Sequence, residues 1–282
     1  MSDARPIGIF DSGIGGLTVV HEVFKRLPGE RIVYFGDTAR VPYGTKSPKV
    51  VQHFAMQDVR FLLQQNVKMI VVACHTVSSV ALDFLIEQFH FPILGVVVPG
   101  VHAALEATRN RRIGVIGTKA TIVSKSYETH FLKLNPEVQV FSHACPLFVP
   151  LAEEGWLSGD ITKLIAEKYL NTLKTHRIDT LILGCTHYPL LKSVIQKVLG
   201  DGVTLIDSAE ETSRAVEEKL VREKIQNPGN EKAEHQFFVS DISHQFRDVG
   251  ERFLGQKFNH VQQVDLESMD MDERFLKEQR KR

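Results

Sequence analysis

Two of the three cysteines stand where an apolar run typical of a buried strand gives way to polar side chains. The two segments are Cys74-His75-Thr76 and Cys185-Thr186-His187. A free cysteine is most often a small apolar filler, but packing requires neither a hydroxyl nor an imidazole beside it. Such groups can lower the pKa of a thiol and bind a polar ligand. We therefore predict that Cys74 and Cys185 are functional.

The remaining cysteine, Cys145, serves as a comparison within the same chain. No polar cluster follows it in residues 143–149, so we interpret it as structural. Three cysteines cannot all pair within one chain, and they form no CxxC motif. This disfavours both a disulfide framework and a structural zinc site. Free thiols suit a reducing cytosol.

A glycine-rich segment, Asp11-Ser12-Gly13-Ile14-Gly15-Gly16, follows the first apolar run. It could form a tight strand-to-helix turn, or belong to a dinucleotide fold in which Asp37 would bind a ribose. The dinucleotide interpretation is the weaker one, because Thr18 occupies the third glycine position and Asp11 would bring a carboxylate to the pyrophosphate. Backbone N–H groups at such a turn can instead hold a substrate carboxylate. Asp11 better suits binding an ammonium group or steering a catalytic base.

These segments must be positioned by strands and helices that alternate along the chain. Apolar runs predict strands at Ile7–Phe10, Arg31–Phe35, Met69–Ala73, Ile93–Val97, Ile113–Ile116, Val138–Phe141, Thr180–Leu183 and Val203–Ile206. Apolar spacing near 3.6 residues predicts helices at Leu17–Leu27, Val50–Gln64, Ser78–Phe89 and Ile161–His176. Strands that are apolar on both faces and separated by helices indicate an α/β protein with parallel sheets covered on both sides. Ligands bind beyond the carboxyl ends of such strands.

A weak internal repeat bears on the domain organisation. Residues 7–12 (IGIFDS) resemble residues 113–118 (IGVIGT), and residues 70–76 resemble residues 181–187. Chance matching of apolar strands explains the similarity equally well. A real repeat would mean two similar half-domains related by pseudo-symmetry, with a site between them and one cysteine from each. The predicted division is residues 1–98 plus about 208–266 for the first half, 99–207 for the second with a boundary near Pro99-Gly100, and a charged tail at 267–282.

Composition excludes several classes of protein. The 282 residues include 34 basic and 34 acidic side chains, so no overall charge favours nucleic acid or an anionic membrane. Hydrophobic residues make up 43% of the chain, which is ample for a core without a metal or disulfide. The amino terminus has no apolar signal-peptide core, and polar residues and prolines interrupt the longest apolar runs. A soluble cytoplasmic protein is expected.

Several separated segments, in their order and spacing, resemble the glutamate racemase family of the aspartate/glutamate racemase superfamily. The resemblance extends over nearly the whole chain and fades after about Leu254. Its pieces are Asp11-Ser12-Gly13-Ile14-Gly15-Gly16-Leu17, Gly36-Asp37, Pro42-Tyr43-Gly44, Ala73-Cys74-x-Thr76, Cys145-Pro146-Leu147-Phe148-Val149-Pro150-Leu151, Glu153 and Gly184-Cys185-Thr186-His187-Tyr188-Pro189.

The resemblance implies a racemase that uses neither pyridoxal phosphate nor a metal, with Cys74 and Cys185 as its two acid/base residues. By resemblance, the residues assisting proton movement are Asp11, Asp37, Glu153 and His187. The expected substrate contacts are Asp11, Ser12, Tyr43, Gly44, His75, Thr76, Thr186 and His187, to which we add Pro42 and Thr118. The implied role is supply of D-glutamate for the cell wall. A homodimer is a further expectation.

One position departs from the family pattern. The family usually has asparagine after its first cysteine, where this chain has His75. An amide offers a donor and an acceptor on one group, whereas a neutral imidazole offers one of each at a different reach. The change puts substrate range and pH optimum in question more than the type of reaction.

Two alternatives stay open on the sequence. The first keeps the two-cysteine chemistry but acts on aspartate, a hydantoin or another small acid. The second is a non-enzymatic α/β binding module, or a metal-binding protein that uses Cys74, His75, Cys185 and His187. Adjacent ligands such as Cys74-His75 rarely both point inward from a strand end, which weakens the metal hypothesis.

Overall fold

The computed structural model describes residues 2–229, 233–242, 246–258 and 260–266, in which strands and helices alternate. The strands are β1 Ile7–Asp11, β2 Ile32–Gly36, β3 Met69–Val72, β4 Ile93–Gly95, β5 Arg112–Gly117, β6 Gln139–Ala144, β7 Thr180–Gly184, β8 Thr204–Asp207, β9 Gln236–Val239 and β10 Gln262–Gln263. The helices are α1 Leu17–Arg26, α2 Pro48–Gln64, α3 His75–Val80, α4 Leu82–Phe89, α5 Val97–Ala107, α6 Lys119–Val123, α7 Ser126–Leu134, α8 Phe148–Glu153, α9 Asp160–Thr175, α10 Lys192–Leu199, α11 Ser208–Glu223 and α12 Phe246–Leu254. Short 3-10 helices occupy Thr38–Arg40, Tyr43–Thr45 and Tyr188–Leu191.

Within these residues the strands form two parallel sheets, so the predicted α/β class with two parallel-sheet halves is confirmed. One sheet has the order β10-β9-β2-β1-β3-β4 and the other β6-β5-β7-β8. Each predicted strand overlaps an observed one. Every residue of β1, β2 and β7 is buried, as expected for strands covered on both faces.

The two sheets repeat one plan, which accounts for the internal similarity in the sequence. Strand order β2-β1-β3-β4 in the first sheet corresponds to β6-β5-β7-β8 in the second. Phe10 pairs with Val72, two residues before Cys74, and Ile116 pairs with Leu183, two residues before Cys185. Equivalent strands therefore deliver the two cysteines to equivalent ends of their sheets.

Three local features differ from the sequence prediction. The helix predicted at Ser78–Phe89 begins earlier, at His75, and is interrupted at Ala81. The strand predicted at Ile93–Val97 ends at Gly95, and α5 runs through Pro99-Gly100, because proline is tolerated in the first turn of a helix. The predicted boundary thus lies inside α5. The division into half-domains stays a prediction, and the charged tail predicted at 267–282 lies outside the described residues.

The chain after α11 returns to the first sheet through two strands that the sequence analysis missed. β9 pairs with β2, and β10 pairs with β9. Phe237 and Phe238 are both buried, so β9 covers the edge of β2 with apolar side chains on both of its faces. The apolar run of β9 is short and follows a charged segment, so hydrophobic periodicity does not reveal it.

A buried ion pair fastens this returning segment to the base of the first sheet. Lys68, just before β3, lies 2.6 Å from the carboxylate of Glu30, and the side chains of both residues are almost fully buried. The Lys68 ammonium also donates to the carbonyls of Asp3 and Ile225. The backbone N–H of Asn227 donates to the other oxygen of Glu30. One cation therefore joins the amino terminus, the sheet and the segment after α11.

We predict that Lys68→Ala lowers the free energy of unfolding by about 3 kcal/mol, because it leaves the Glu30 carboxylate buried without its cation. Urea denaturation of the full chain measures the change. Lys49→Ala, at an exposed position of α2, is the matched control and should shift stability by less than about 0.5 kcal/mol. Equal stabilities for the two variants would contradict the importance of the pair.

Candidate active site

A cavity of about 400 Å³ lies at the carboxyl ends of both sheets, where ligand sites form in parallel α/β proteins. All of the predicted site residues except Asp11 and Asp37 line it. The predicted residues in its wall are Ser12, Pro42, Tyr43, Gly44, Cys74, His75, Thr76, Thr118, Glu153, Cys185, Thr186 and His187. Additional lining comes from Gly13, Ile14, Val41, Thr45, Lys119, Pro146, Val149 and Pro150. The first half and the second half each contribute one cysteine.

Cys74 is held as a thiol on the first side of the cavity. It follows β3 at the start of α3, and its Sγ lies 3.4 Å from the Ser12 hydroxyl. Burial, with the nearby charge of Asp11, raises the pKa of Cys74 to about 12. Asp11 thus affects Cys74 in the direction opposite to activation, and at neutral pH Cys74 is the protonated partner.

Cys185, which the second half contributes to the same cavity, has His187 as its polar neighbour. The Nδ1 atom of His187 lies 3.8 Å from the Cys185 sulfur, and its Nε2 atom lies 2.9 Å from a carboxylate oxygen of Glu153. Burial alone would lower the pKa of His187, but its interactions with Cys185 and Glu153 outweigh burial and raise it to about 10. A protonated imidazole places a positive charge beside the Cys185 sulfur. The two cysteines therefore have opposite electrostatic surroundings.

The glycine-rich turn owes its composition to close approach of the two halves. A Cβ at Gly15 would lie 2.3 Å from the Thr186 hydroxyl and 2.5 Å from the His187 ring. One at Gly16 would lie 2.5 Å from the Cβ of Asp11. The Thr18 hydroxyl, in the position of a third glycine, donates to the carbonyl of Thr186. The turn is thus built to meet the Cys185 loop, an interaction that a dinucleotide fingerprint does not require.

Asp11 lies beneath this turn and does not reach the cavity wall. It is fully buried at the end of β1, and the backbone N–H of Gly13 donates to its carboxylate over 3.0 Å. Burial raises its pKa, against the opposing effect of His187. The predicted contact between Asp11 and the substrate stays a prediction, and the effect of Asp11 on Cys74 is through its charge.

Asp37 also lies behind the cavity wall, and its predicted part in proton movement stays a prediction. Its carboxylate accepts hydrogen bonds from the Tyr43 hydroxyl, the Arg40 guanidinium and the Ser240 hydroxyl. Tyr43 lines the cavity. Asp37 consequently supports the Tyr43-Gly44 wall instead of touching what the cavity holds.

The sequence analysis missed Asp58, a second buried carboxyl group in the same cluster. It accepts from Arg40 over 3.1 Å and from Tyr43 over 3.4 Å. Burial and the charge of Asp37 raise the pKa of Asp58 well above its ordinary value, which favours its protonated form. The available signal was its position on the buried face of α2, one residue before Val59. A charged residue on an apolar helix face requires partners.

His75 reaches the cavity as a neutral ring. It is buried, and neither ring nitrogen has a hydrogen-bond partner among the described residues. Burial lowers the pKa of His75 to about 3. A neutral imidazole can donate from one nitrogen and accept at the other. Both nitrogens are covered from solvent in this structure.

Two threonine hydroxyls connect the halves across the cavity. The Oγ1 atoms of Thr76 and Thr118 lie 3.0 Å apart, and Thr118 also accepts from the backbone N–H of Thr121 at the start of α6. Thr118 is therefore oriented by its own helix and contacts the helix that follows Cys74.

Comparison with known proteins adds an independent test of this arrangement. A family model described as Asp/Glu/Hydantoin racemase matches residues 15–216. The chain belongs to the Asp/Glu/hydantoin racemase family. A glutamate racemase from Geobacter metallireducens is 51% identical over 264 residues, which cover 94% of this chain and 98% of the relative.

Solved structures of family members have the same fold. A glutamate racemase from Francisella tularensis, in complex with D-glutamate, has a TM-score of 0.89 and 45% identity, covering 94% of this chain and 99% of that one. Glutamate racemase isoform RacE1 from Bacillus anthracis has a TM-score of 0.90 and 42% identity, covering 93% and 98%. The resemblance recognised in the sequence is thereby confirmed.

Two searches of the described residues bear on the remaining hypotheses for this racemase-family chain. Among those residues, no three or more His, Cys, Asp or Glu side chains are grouped so that they could hold a metal ion. Within the same residues, no helix combines the length and the apolar character needed to span a membrane.

We predict that Asp58→Asn changes stability by less than about 1 kcal/mol, because asparagine resembles a protonated carboxyl group and can still accept from Arg40. Asp37→Asn should cost about 2 kcal/mol, because its amide would face donors. Urea denaturation compares the two variants. Asp37→Asn should also weaken ligand binding through Tyr43. The account of the cluster fails if Asp58→Asn is the more damaging substitution.

Proposed function

We propose that this chain interconverts L- and D-glutamate by transferring protons at the α-carbon, with Cys74 on one face and Cys185 on the other. The observation that carries the proposal is the lining of a single cavity by both thiols, each from the equivalent strand end of its own half. Racemisation needs a base on one face of the carbon and an acid on the other. Two residues can do this without dissociation or reorientation of the substrate.

The unequal surroundings of the thiols suit this division of roles. Cys185, beside protonated His187, is the base for one enantiomer, and the Cys74 thiol is the acid that delivers a proton to the opposite face. The product is the other enantiomer, with Cys74 now a thiolate and Cys185 a thiol. Asp11 opposes the Cys74 thiolate by its charge, which favours return of a proton to Cys74. The reverse reaction then begins from Cys74.

The cavity also carries groups that suit a dicarboxylic amino acid. The hydroxyls of Ser12, Thr76 and Thr186 can donate hydrogen bonds to carboxylates. Such donors stabilise the charge that spreads into the α-carboxylate as the proton leaves. Lys119 adds a positive charge to the wall, which suits a substrate with two carboxylates.

Glutamate is preferred over aspartate because the closely similar relatives are glutamate racemases, one of them solved with D-glutamate bound. The alternative is a racemase acting on aspartate or another small acid. His75, where the family usually has asparagine, is the observation in its favour. Supply of D-glutamate for peptidoglycan, a cytoplasmic location and a homodimer complete the proposal, and they rest on the family resemblance.

Purified protein should racemise both enantiomers of glutamate and, in deuterated water, should introduce solvent deuterium at the α-carbon. Polarimetry follows the turnover, and proton NMR follows the exchange. Parallel assays with D- and L-aspartate test the alternative substrate. Added chelator or carbonyl reagent should leave the rate unchanged. Product free of deuterium would rule out proton exchange, and preferential turnover of aspartate would overturn the assignment of substrate.

Replacing either functional cysteine should separate the two proton transfers. Cys74→Ala and Cys185→Ala should each lose racemisation in both directions, while each retains partial α-proton exchange with one enantiomer, and the two variants should retain opposite enantiomers. Cys145→Ala, at a fully buried position that does not line the cavity, is the matched control and should racemise glutamate normally. Normal interconversion by Cys74→Ala would refute the two-base assignment.

A further inference from the structure

Helix α12 lies beyond the segment that matches the family model, yet it contacts both halves of the molecule. On the side of the first half it packs against α1, and the ring of His21 lies 2.7 Å from the carbonyl of Leu254. Phe253 and Leu254 belong to the same buried cluster as Leu17 of α1 and Ala152 of α8. The helix therefore joins the first half to α8, which carries Glu153.

Arg252 of this helix holds the end of α8. Its Nη1 atom donates to the carbonyl of Glu153 over 2.8 Å and to that of Ala152 over 3.3 Å. Carbonyls in the last turn of a helix have no partner within the helix, and a basic side chain can satisfy them. Gly155 makes room for the guanidinium, because a Cβ there would lie 2.9 Å from its central carbon. Its φ of +74° also favours glycine.

Phe253, the residue after Arg252, packs against His187, the hydrogen-bond partner of Glu153. Its ring and the ring of His187 have centroids 5.0 Å apart and planes at 77°, an edge-to-face contact. The Phe253 side chain is buried, so its position is set by the core. The two adjacent residues thus contact Glu153 and His187 separately.

We infer that Arg252 and Phe253 are positioning residues that hold the Glu153–His187 pair against Cys185, so that the C-terminal helix tunes one of the two thiols and not the other. The inference rests on the proposed function for its catalytic meaning. Neither residue touches the reacting atoms, and both act through His187 or Glu153.

Exposure of Glu153 explains why the pair needs such support. Its side chain is 44% exposed, whereas that of His187 is 10% exposed. An ion pair with a solvated carboxylate is weak unless the geometry is held. Fixing the backbone of Glu153 limits the directions its side chain can take. The other titratable groups that face His187 are Cys185 and Asp11.

The test compares Arg252→Met, Arg252→Lys and Phe253→Leu with Arg247→Met, which removes an exposed positive charge from the same helix. Iodoacetamide alkylation of the full chain, followed by peptide mass spectrometry, gives the rate at each cysteine without any substrate. Thiolates react and thiols do not. Cys145, fully buried, reports any general opening of the fold.

At pH 7, Arg252→Met and Phe253→Leu should slow alkylation of Cys185 by about tenfold, as loss of the His187 cation would. Cys74 and Cys145 should react as in the parent protein. Arg252→Lys should recover part of the Cys185 rate, since an ammonium group can still donate to carbonyls, and Arg247→Met should change nothing. In parallel, kcat for glutamate should fall about tenfold with little change in KM.

The pH dependence separates positioning from a loss of stability. Glu153 helps to raise the pKa of His187, so releasing Glu153 lowers that pKa and the alkaline limit of activity should move towards neutral pH. An equal loss at every pH, or faster alkylation of Cys145, would mean a merely structural role and overturn the inference. So would unchanged Cys185 reactivity in Arg252→Met. Failure of the parent protein to racemise glutamate would instead count against the proposed substrate, because alkylation needs none.

Discussion

The carboxyl ends of two separate parallel sheets approach so closely that the turn after β1 leaves no room for a side chain of its own where it meets the Cys185 loop. Gly15 meets Thr186 and His187, and Gly16 meets Asp11, at distances that leave no room for a Cβ. Thr18 then fastens the same turn to the carbonyl of Thr186. The loop that bears Cys185 is thereby located relative to β1. The walls of the cavity follow from this contact, because Cys74 is located relative to β1 by its own strand.

Burial makes chemically identical groups unequal once the halves have met. Cys74 has a hydroxyl and a buried carboxyl group as neighbours, and its pKa rises to about 12. Cys185 instead has the imidazole of His187 as its neighbour. Interactions with Cys185 and Glu153 raise the pKa of His187 to about 10. A reaction that starts from one thiol and one thiolate needs this inequality, but it also needs the roles to exchange. Asp11 is close enough to interact with both Cys74 and His187. Its charge raises the pKa of Cys74, and His187 in turn lowers the pKa of Asp11, which burial raises. Asp11 thus links the electrostatics of the two sides.

The sequence was sufficient to predict the fold class and most of the cavity wall, for a definite physical reason. Parallel strands are apolar on both faces, so each strand end is marked by the first polar residue, and all such ends meet at one edge of a sheet. That rule places Ser12, Thr118 and both cysteine segments without knowledge of the fold in detail. The rule predicts which residues lie at the carboxyl edge of a sheet, but not whether their side chains reach the cavity. Asp11 and Asp37 also follow strand ends, yet their side chains point beneath the wall, and only three-dimensional packing distinguishes the two cases.

Residues that support the site are harder to predict than those that line it. A group that meets the substrate must have a particular chemistry, whereas a carbonyl at the end of α8 accepts a hydrogen bond from any donor of suitable reach. The donor can therefore come from far along the chain, as Arg252 does for Glu153 and Ser240 does for Asp37. Both come from the returning C-terminal segment, which has contacts on the two sides of the cavity. Because such supporting residues are constrained by position more than by type, no short motif marks them, and their effect on the acid/base groups follows only from the contacts themselves.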